Sequence, residues 1–393
     1  MSRQSPSKPL RVAFCHFTAD VNGGADICLY NMVKHLPRDR FEPVLILKKG
    51  DVMADDYRAL NAEVLQFNFT PPRRALEFRK LAKYFVSFCP SLIQTALALR
   101  SVHADIVHVN TLYNLQSAFA AKVAGLPLVW HVREMGSDSA PARVMLQFVG
   151  AFATRCIAIS KAVAGTVPNC DDRLRVVYDG IELDRFQGPF DDARTRASLG
   201  VPADVPLVTT VGRIEPWKGQ HVLVEAIPGI LAECPDARIL IVGGPAVNKP
   251  EYERGLRERC ESLGVAKSVI FTGVRKDIPE IMAASAVIIL PSATPEPYGL
   301  TVIEAMAAGC PVIATAAGGP LESLADGETG WLVPPKDSTA IAERVTALLK
   351  TPGERDRIGA KGRERARTLF DVKRSVSEMA DLFEEVARER RGN

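Results

Sequence analysis

Two glutamates, Glu296 and Glu304, stand on either side of Gly299 in the segment PSATPEPYGLTVIEAMAAGCPVIAT. The pattern predicts a strand ending at Leu290, a loop, a helix from about Leu300 to Ala308 and another strand. A helix that opens on glycine leaves unbonded N–H groups and the positive end of its dipole accessible, which suits an anion. Glu304 falls about one turn into that helix, roughly 6 Å along its axis. A carboxylate before a phosphate-binding helix start and another after it fit a nucleotide-sugar, whose sugar and ribose hydroxyls bracket a diphosphate. Taken alone, the two glutamates suit better a solvated loop position and a surface position of an ordinary βα unit. The loop chemistry between them favours the ligand.

A second constellation, VTTVGRIEPWKGQHVLVEAI, reads as strand, loop and helix, with Arg213 at the strand end and Lys218 at the helix start. Two fixed cations there can neutralise a departing diphosphate, the task a divalent metal would otherwise perform. The competing reading is a surface ion pair of Arg213 or Lys218 with Glu215, which would be weak. The chain has no D-x-D triplet of the kind that holds a metal in other transferases. No metal and no cofactor are therefore expected. Near the start of the chain, Gly23-Gly24 follows a strand and precedes a helix, another place where backbone can approach an anion or a sugar. It is not a G-x-G-x-x-G loop, so a dinucleotide reading is weak, and a plain strand–helix turn is the alternative.

The elements that must hold these residues alternate between strand and helix throughout. Val12–Phe17, Pro43–Leu47, Val64–Phe67, Ile106–Val109, Pro127–His131 and Arg155–Ile159 read as short strands. The polar segment Glu182–Pro206 reads as a linker, and alternation restarts with Leu207–Gly212, Ala237–Val242, Ser268–Thr272, Ala286–Leu290 and Pro311–Ala314. This predicts an α/β fold of two doubly wound domains, 1–188 and 189–370, facing each other across a cleft, with ligands at the carboxyl ends of the strands. Residues 371–393 form an amphipathic helix, with Val372, Val376, Met379, Phe383 and Val386 on one face, that docks back on the first domain. Pro228-Gly229 falls where helix interior is expected and predicts a kink or an early stop. Ser160 reads as a helix N-cap, and His108, within a strand, as a satisfied core histidine.

A chain of 393 residues exceeds what one hydrophobic core usually serves. Its net charge of +3 excludes a strong nucleic-acid-binding field. The eight cysteines have irregular spacings and no C-x-x-C pair, which predicts reduced, mostly buried thiols in a cytoplasmic protein. The first apolar run reads as a strand rather than a signal peptide.

The motifs VGRIEPWKG, ILIVGGP, VIFTGVRKDIPEIMAASAVIILPS, EPYGLTVIEAMAAGCPVIAT and GGPLESLADGETGWLVPP, in this order, resemble those of retaining glycosyltransferases of the GT-B fold, family 4 or "group 1". The resemblance covers nearly the whole chain. It implies that Arg213 and Lys218 grip the donor diphosphate and stabilise it as it leaves. It places Glu296 at the donor sugar, the backbone of Tyr298, Gly299 and Leu300 at phosphate, and Glu304 at the ribose. Val274 and Arg275 would lie against the base, and Gly23 and Gly24 would face the donor phosphate or the acceptor. The family has a histidine at the position of His131, in VWHVREM, which would hydrogen-bond the donor sugar or steady charge at the reacting carbon. There the family commonly has an acidic residue directly after the histidine; here it is Glu134, three positions on, and its role stays open. The donor would be UDP- or GDP-linked, and the acceptor a glycan or lipid-linked saccharide, as in cell-surface polysaccharide synthesis. The resemblance also implies retention by front-face displacement, in which the leaving phosphate helps deprotonate the acceptor hydroxyl; no carboxylate pair here announces a covalent double displacement.

The stretch Arg73–Cys89 is a basic amphipathic helix: Phe78, Leu81, Ala82, Phe85 and Phe88 share one face, and Arg79, Lys80, Lys83 and Ser87 the other. Core packing with a solvated basic face is one reading, and contact with an anionic membrane at the inner face is the other.

Overall fold

Short runs of Val, Ile and Leu, bounded by glycine and polar turns, are too brief for helices and apolar on both faces. Such runs suit strands of a parallel sheet covered on each side. The computed structural model describes residues 8–17, 23–68, 78–136, 140–246 and 249–392, with backbone alone for 78–87 and 140–141. The chain divides into two compact units, Met1–Gly180 together with Val372–Asn393, and Ile181–Asp371.

The first unit holds a parallel seven-stranded sheet of β1 (Leu10–His16), β2 (Phe41–Lys48), β3 (Glu63–Phe67), β4 (Ile106–Val109), β5 (Leu128–Val132), β6 (Arg155–Ala158) and β7 (Leu174–Val176). Their order is β3-β2-β1-β4-β5-β6-β7. The second unit holds β8 (Leu207–Val211), β9 (Arg238–Val242), β10 (Val269–Gly273), β11 (Val287–Leu290), β12 (Val312–Thr315) and β13 (Trp331–Val333), all parallel, in the order β10-β9-β8-β11-β12-β13. Both are doubly wound, Rossmann-like sheets. Strand order reverses between β1 and β4 in one unit and between β8 and β11 in the other. At each reversal the loops leave in opposite directions and open a crevice at the carboxyl ends of the strands. β7 and β13 were not among the strands expected from sequence; each has only three residues and little apolar pattern to reveal it.

The terminal helix Val372–Gly392 belongs to the first unit. Val372, Val376, Met379, Phe383 and Val386 are buried in one core with Phe14, Leu29 and Phe41. The Phe383 ring meets Phe14 and Phe41 edge-on at 6.0 and 6.1 Å.

Four expectations are corrected. The first boundary falls at Gly180 rather than at 188, and Glu182–Pro206 is not a free linker. Leu183 and Phe186 are buried in a 3-10 turn, Asp191 caps the helix Asp192–Ser198, and Leu199 and Val201 pack with Leu207, Leu240, Val242 and Ile281. The polar composition of this stretch hid an apolar underside. Of the kink or early stop expected at Pro228, the stop does not occur: the helix Gln220–Glu233 runs through it. Burial of Val224, Ile227 and Ile230 outweighs the lost hydrogen bond, and Gly229 lets Ala342 of the helix Ser338–Lys350 approach to 3.1 Å of where a Cβ would sit. Finally, Cys156 and Cys170 form a disulfide, because β6 brings one beside the loop that leads to β7 and the other. The other described cysteines stand outside any disulfide: Cys15, Cys28, Cys260 and Cys310 are buried, Cys234 is half-buried and Cys89 exposed.

Residues 73–77 of the basic stretch Arg73–Cys89 lie outside the described residues. From Phe78 the backbone is helical to Ser101, and Phe88, the last member of the apolar stripe, sits edge-on to Phe119 at 6.0 Å. Among the described residues no helix is long and apolar enough to cross a membrane.

Candidate donor site

β8 and β11 are neighbours in the sheet, so the loops leaving their carboxyl ends rise side by side. The β8 loop carries Arg213 and Lys218, and the β11 loop carries Glu296. Two close approaches fix the pair of loops. Gly219 has a positive φ of 73°, and a Cβ there would lie 1.9 Å from the Pro291 carbonyl oxygen. Ala293 N–H donates to the Trp217 carbonyl at 2.9 Å.

Lys218 Nζ reaches both carboxylate oxygens of Glu296, at 2.9 and 3.1 Å, and stands 4.2 Å from the centre of the Trp217 ring. Ser292 Oγ donates to Glu296 Oε2 at 2.7 Å. Glu296 is 5% exposed, so this charge is held almost out of water by two partners. Its backbone is clamped as well. Glu296 N–H donates to Ala317 O at 3.2 Å, and Gly319 N–H donates to Glu296 O at 2.8 Å. A Cβ at Gly318 would lie 2.1 Å from Glu296 O, and one at Gly319 would lie 2.3 Å from Tyr298 O. Gly318-Gly319 therefore serve as the bare surface on which the Glu296–Tyr298 strand lies.

The Tyr298 side chain turns into the core, edge-on to Phe370 at 6.5 Å. Gly299 has φ +87° and opens the helix Leu300–Ala308 with no side-chain cap. The first N–H groups of this helix thus form a backbone surface next to the Lys218–Glu296 pair. Glu304, on the same helix, has no hydrogen bond or ion pair among the described residues. Burial pushes its carboxyl up to about 7, against the pull of Arg185 and Lys218. Arg213 is half exposed and its Nε lies 3.2 Å from Glu215, so the Glu215 pair weighed from sequence is present. Val274 is 75% exposed after the β10 end, while Arg275 is held by Asp277 through Nε (2.8 Å) and Nη2 (2.6 Å).

The second unit thus brings together Arg213, Lys218, Glu296, Tyr298, Gly299, Leu300 and Glu304. Sequence reasoning missed Ser292 and Arg185. Ser292 was visible two residues after Leu290 in the quoted segment, but a lone serine gives no signal of its carboxylate partner.

The first unit has its own polar network at the reversal between β1 and β4. Gly23 N–H donates to Asp26 Oδ2 at 2.9 Å, and Asp26 Oδ1 lies 2.6 Å from His16 Nε2. Asn110 Nδ2 bonds His16 Nδ1 at 3.0 Å, and Arg133 Nε donates to Asn110 Oδ1 at 2.8 Å. Arg133 Nη1 also pairs with Asp179. The Gly23 amide is thus already taken by a carboxylate, and Gly24 begins the helix Gly24–His35 beside it. Glu134 Oε2 accepts from the backbone N–H of Leu112 and of Arg133, at 3.0 and 3.2 Å, which ties the end of β5 to the loop after β4. Burial raises its carboxyl above the ordinary range. Ser160 caps the helix Lys161–Ala164 by accepting from Val163 N–H.

His131 is 1% exposed, with Nδ1 3.2 Å from His108 Nε2 and Nε2 without a partner among the described residues. His108 is not the fully satisfied core residue expected: its Nδ1 also has no partner. Burial, then the charge of Arg133, push His108 down to about 3 and His131 well below the ordinary histidine value. Both rings are neutral at physiological pH.

Residues 191–365 match the family model "Glycosyl transferases group 1", and residues 22–185 match "Glycosyltransferase Family 4". A D-inositol 3-phosphate glycosyltransferase of Streptomyces scabiei (strain 87.22) is 32% identical over 336 residues, covering 79% of this chain and 75% of that protein. The solved structure of Anabaena HepE in complex with UDP-glucose superposes with a TM-score of 0.84 at 27% identity, over 96% of this chain and 100% of that one. The HepE complex with UDP and glucose gives a TM-score of 0.82 at 27% identity, over 95% of this chain and 99% of the other.

Proposed function

The chain belongs to the group 1, family 4 glycosyltransferases of the GT-B fold, and from that premise we infer that it moves a sugar, with retention, from a UDP-sugar to a glycan or lipid-linked acceptor. That it is a glycosyltransferase using a nucleotide-sugar is the premise; the base, the stereochemistry and the acceptor are the proposal. The observation that carries it is the Lys218–Glu296 pair at 2.9 Å beside an uncapped helix start. A diphosphate arriving at Gly299 and Leu300 competes for Lys218, and the Glu296 oxygens it releases can accept from sugar hydroxyls.

Arg213 and Lys218 then stabilise the charge that develops as the UDP leaves. No step assigned to them needs a metal ion. The leaving phosphate oxygen takes the proton of the attacking acceptor hydroxyl on the same face of the sugar, which preserves the anomeric configuration. His131 is the proposed hydrogen-bond donor to the sugar from the first unit, and Val274 with Arg275 the contact for the base. The bound UDP and UDP-glucose of Anabaena HepE support uracil over guanine. We place the reaction in the cytoplasm, in cell-surface polysaccharide synthesis. The inositol 3-phosphate acceptor named for the Streptomyces relative supports a second reading, a small phosphorylated polyol. Contact of Arg73–Cys89 with an anionic membrane would accompany a lipid-linked acceptor.

The test is turnover of UDP-sugars with and without acceptor, in the presence of EDTA. UDP release that requires acceptor and survives EDTA is the expected result. Acceptor-independent consumption of donor would identify a hydrolase or epimerase instead, and loss of activity with EDTA would overturn the metal-free mechanism.

Glu304 supplies a pH signature. With its carboxyl near 7 in the free protein, it is mostly protonated at pH 6 and mostly ionised at pH 8. If the ribose hydroxyls donate to its ionised form, binding releases a proton. Affinity for UDP-glucose then rises about 10-fold from pH 6 to pH 8. The diphosphate of a nucleotide-sugar has no proton to exchange in this window, so it is the proper probe. Calorimetry should show the slope in the wild type and a flat profile in Glu304→Gln; a slope that persists in the variant would remove Glu304 from the site.

A further inference from the structure

His108 and His131 come from adjacent strands, β4 and β5, and meet ring to ring at the carboxyl edge of the first sheet. Each ring is buried and neutral, so each carries one N–H, on either Nδ1 or Nε2. Their contact at 3.2 Å needs one donor and one acceptor, which leaves two arrangements. In the first, His108 Nε2–H donates to His131 Nδ1. His131 must then carry its own proton on Nε2, and His108 keeps a bare lone pair on Nδ1. In the second, His131 Nδ1–H donates to His108 Nε2, His108 Nδ1 carries a proton, and His131 Nε2 is an acceptor only.

The surroundings separate these two. The His108 ring centre lies 5.2 Å from that of Phe14 and 5.9 Å from that of Phe383, and its Nδ1 has no partner among the described residues. Each arrangement leaves one buried N–H unpaired among the described residues of the free chain, on His108 Nδ1 in the second and on His131 Nε2 in the first; with the role given to His131 above, only the first lets a substrate oxygen pair it, since His108 packs against Phe14 and Phe383. The first arrangement puts the lone pair at that position. It also leaves His131 Nε2–H as a buried donor with nothing in the described chain to receive it. Arg133, two residues on, opposes charging of either ring, so both stay neutral and the choice of tautomer persists.

We propose that His108 is a positioning residue that fixes His131 as the Nε2–H tautomer, so that His131 presents a single hydrogen-bond donor to an oxygen of the substrate. The proposal rests on the role given to His131 above, and the tautomer is read separately from activity. His108 never touches substrate. It acts as the carboxylate or carbonyl behind many functional histidines does, except that here a second neutral imidazole donates to Nδ1 rather than accepting from it.

The experiment is ¹⁵N NMR of the full-length protein labelled at histidine, with the His131 signals identified by their loss in His131→Asn. The expected spectrum has a protonated Nε2 and an unprotonated Nδ1 for His131, and the same for His108. His108→Phe removes the donor, so the His131 signals should move toward a mixture of tautomers. Turnover should fall about 10- to 100-fold in kcat, the range seen when the partner of a functional histidine is removed, with KM for the UDP-sugar little changed. His108→Gln returns an amide N–H near the Nε2 position and should restore both the tautomer and most of kcat. A protonated Nδ1 on His131 in the wild type overturns the proposal at once, without any variant having to fold. An Nε2–H tautomer with full activity in both His108→Phe and His131→Asn overturns the use of His131 in the reaction while leaving its glycosyltransferase activity standing.

Discussion

Glu296→Gln is expected to lower kcat by about 10²- to 10³-fold while UDP binds as tightly as before or a few-fold tighter. The two halves of this result have one cause. In the free chain Glu296 holds Lys218 through both of its oxygens. Glutamine has the same shape and still accepts from Ser292, but it does not hold an ammonium as a carboxylate does. Lys218 is then freer to meet phosphate, which favours UDP. The sugar loses a charged acceptor whose hydrogen bonds to hydroxyls are roughly twice as strong as neutral ones. Because those bonds matter most while the sugar–phosphate bond is breaking, the loss appears in kcat more than in ground-state binding.

Calorimetric titration with UDP and steady-state kinetics with the UDP-sugar, on the same preparation, decide it. If UDP affinity falls in step with turnover, Glu296 is a general support of the nucleotide site and not a sugar contact. A folding defect would be read separately, by the melting temperature. Gln is the right substitution for that reason: Ala would leave a cavity between Lys218 and Ser292, which the Glu296 side chain fills.

How much of this was legible in the sequence follows from how local each signal is. The donor constellation was readable because its parts lie in two short segments. VGRIEPWKG and EPYGLTVIEAM each hold a strand end, a glycine and a charged residue within a dozen positions, and the sheet order then puts β8 beside β11. Even the pair with Glu215 could be weighed, since Arg213 and Glu215 are near neighbours in the chain. The contact of Lys218 with Glu296 could not, because it depends on Gly219 lying under the Pro291 carbonyl.

The first unit shows the opposite case. His16, Asp26, Asn110, Arg133 and Asp179 form one network, but they come from the ends of three strands, one helix and a loop far along the chain. No spacing rule connects them. His108 looked like a core residue, and it is one; what the sequence lacked was that His131, on the adjacent strand two residues past Val129, the register partner of His108, reaches its ring. The same limit explains Cys156 and Cys170. They lie 14 residues apart in no recognisable framework, and only the pairing of β6 with β7 brings them within reach. Glu182–Pro206 failed for a different reason. Its composition is that of a linker, yet Leu183, Phe186, Leu199 and Val201 are spaced to cover one side of the second unit, and a few apolar residues among many polar ones were outvoted.

Lys218→Ala should show the larger combined effect, because it removes the cation proposed to stabilise the leaving diphosphate and strands a buried anion together. Turnover is expected to fall about 10²- to 10³-fold through loss of leaving-group stabilisation, and here, unlike in Glu296→Gln, UDP binding should weaken as well. Stability should also drop. Among the described residues Glu296, 5% exposed, then keeps only the Ser292 hydroxyl as a side-chain partner. Removing one member of a buried ion pair typically costs 3–5 kcal/mol; since the Lys218 side chain is 17% exposed, about 2–3 kcal/mol is the better figure. For a unit of this size that lowers the melting temperature by roughly 5–10 °C. The double variant Lys218→Met, Glu296→Gln separates the two effects. It replaces the ion pair with neutral side chains of similar volume, and melting should return close to that of the wild type while transfer stays absent. Recovery of transfer along with stability would mean that the pair only shapes the loops, and that the charge on the leaving diphosphate is met elsewhere. Recovery of neither would place the cost of Lys218→Ala in the loss of the ammonium over the Trp217 ring, 4.2 Å away, rather than in the unpaired glutamate.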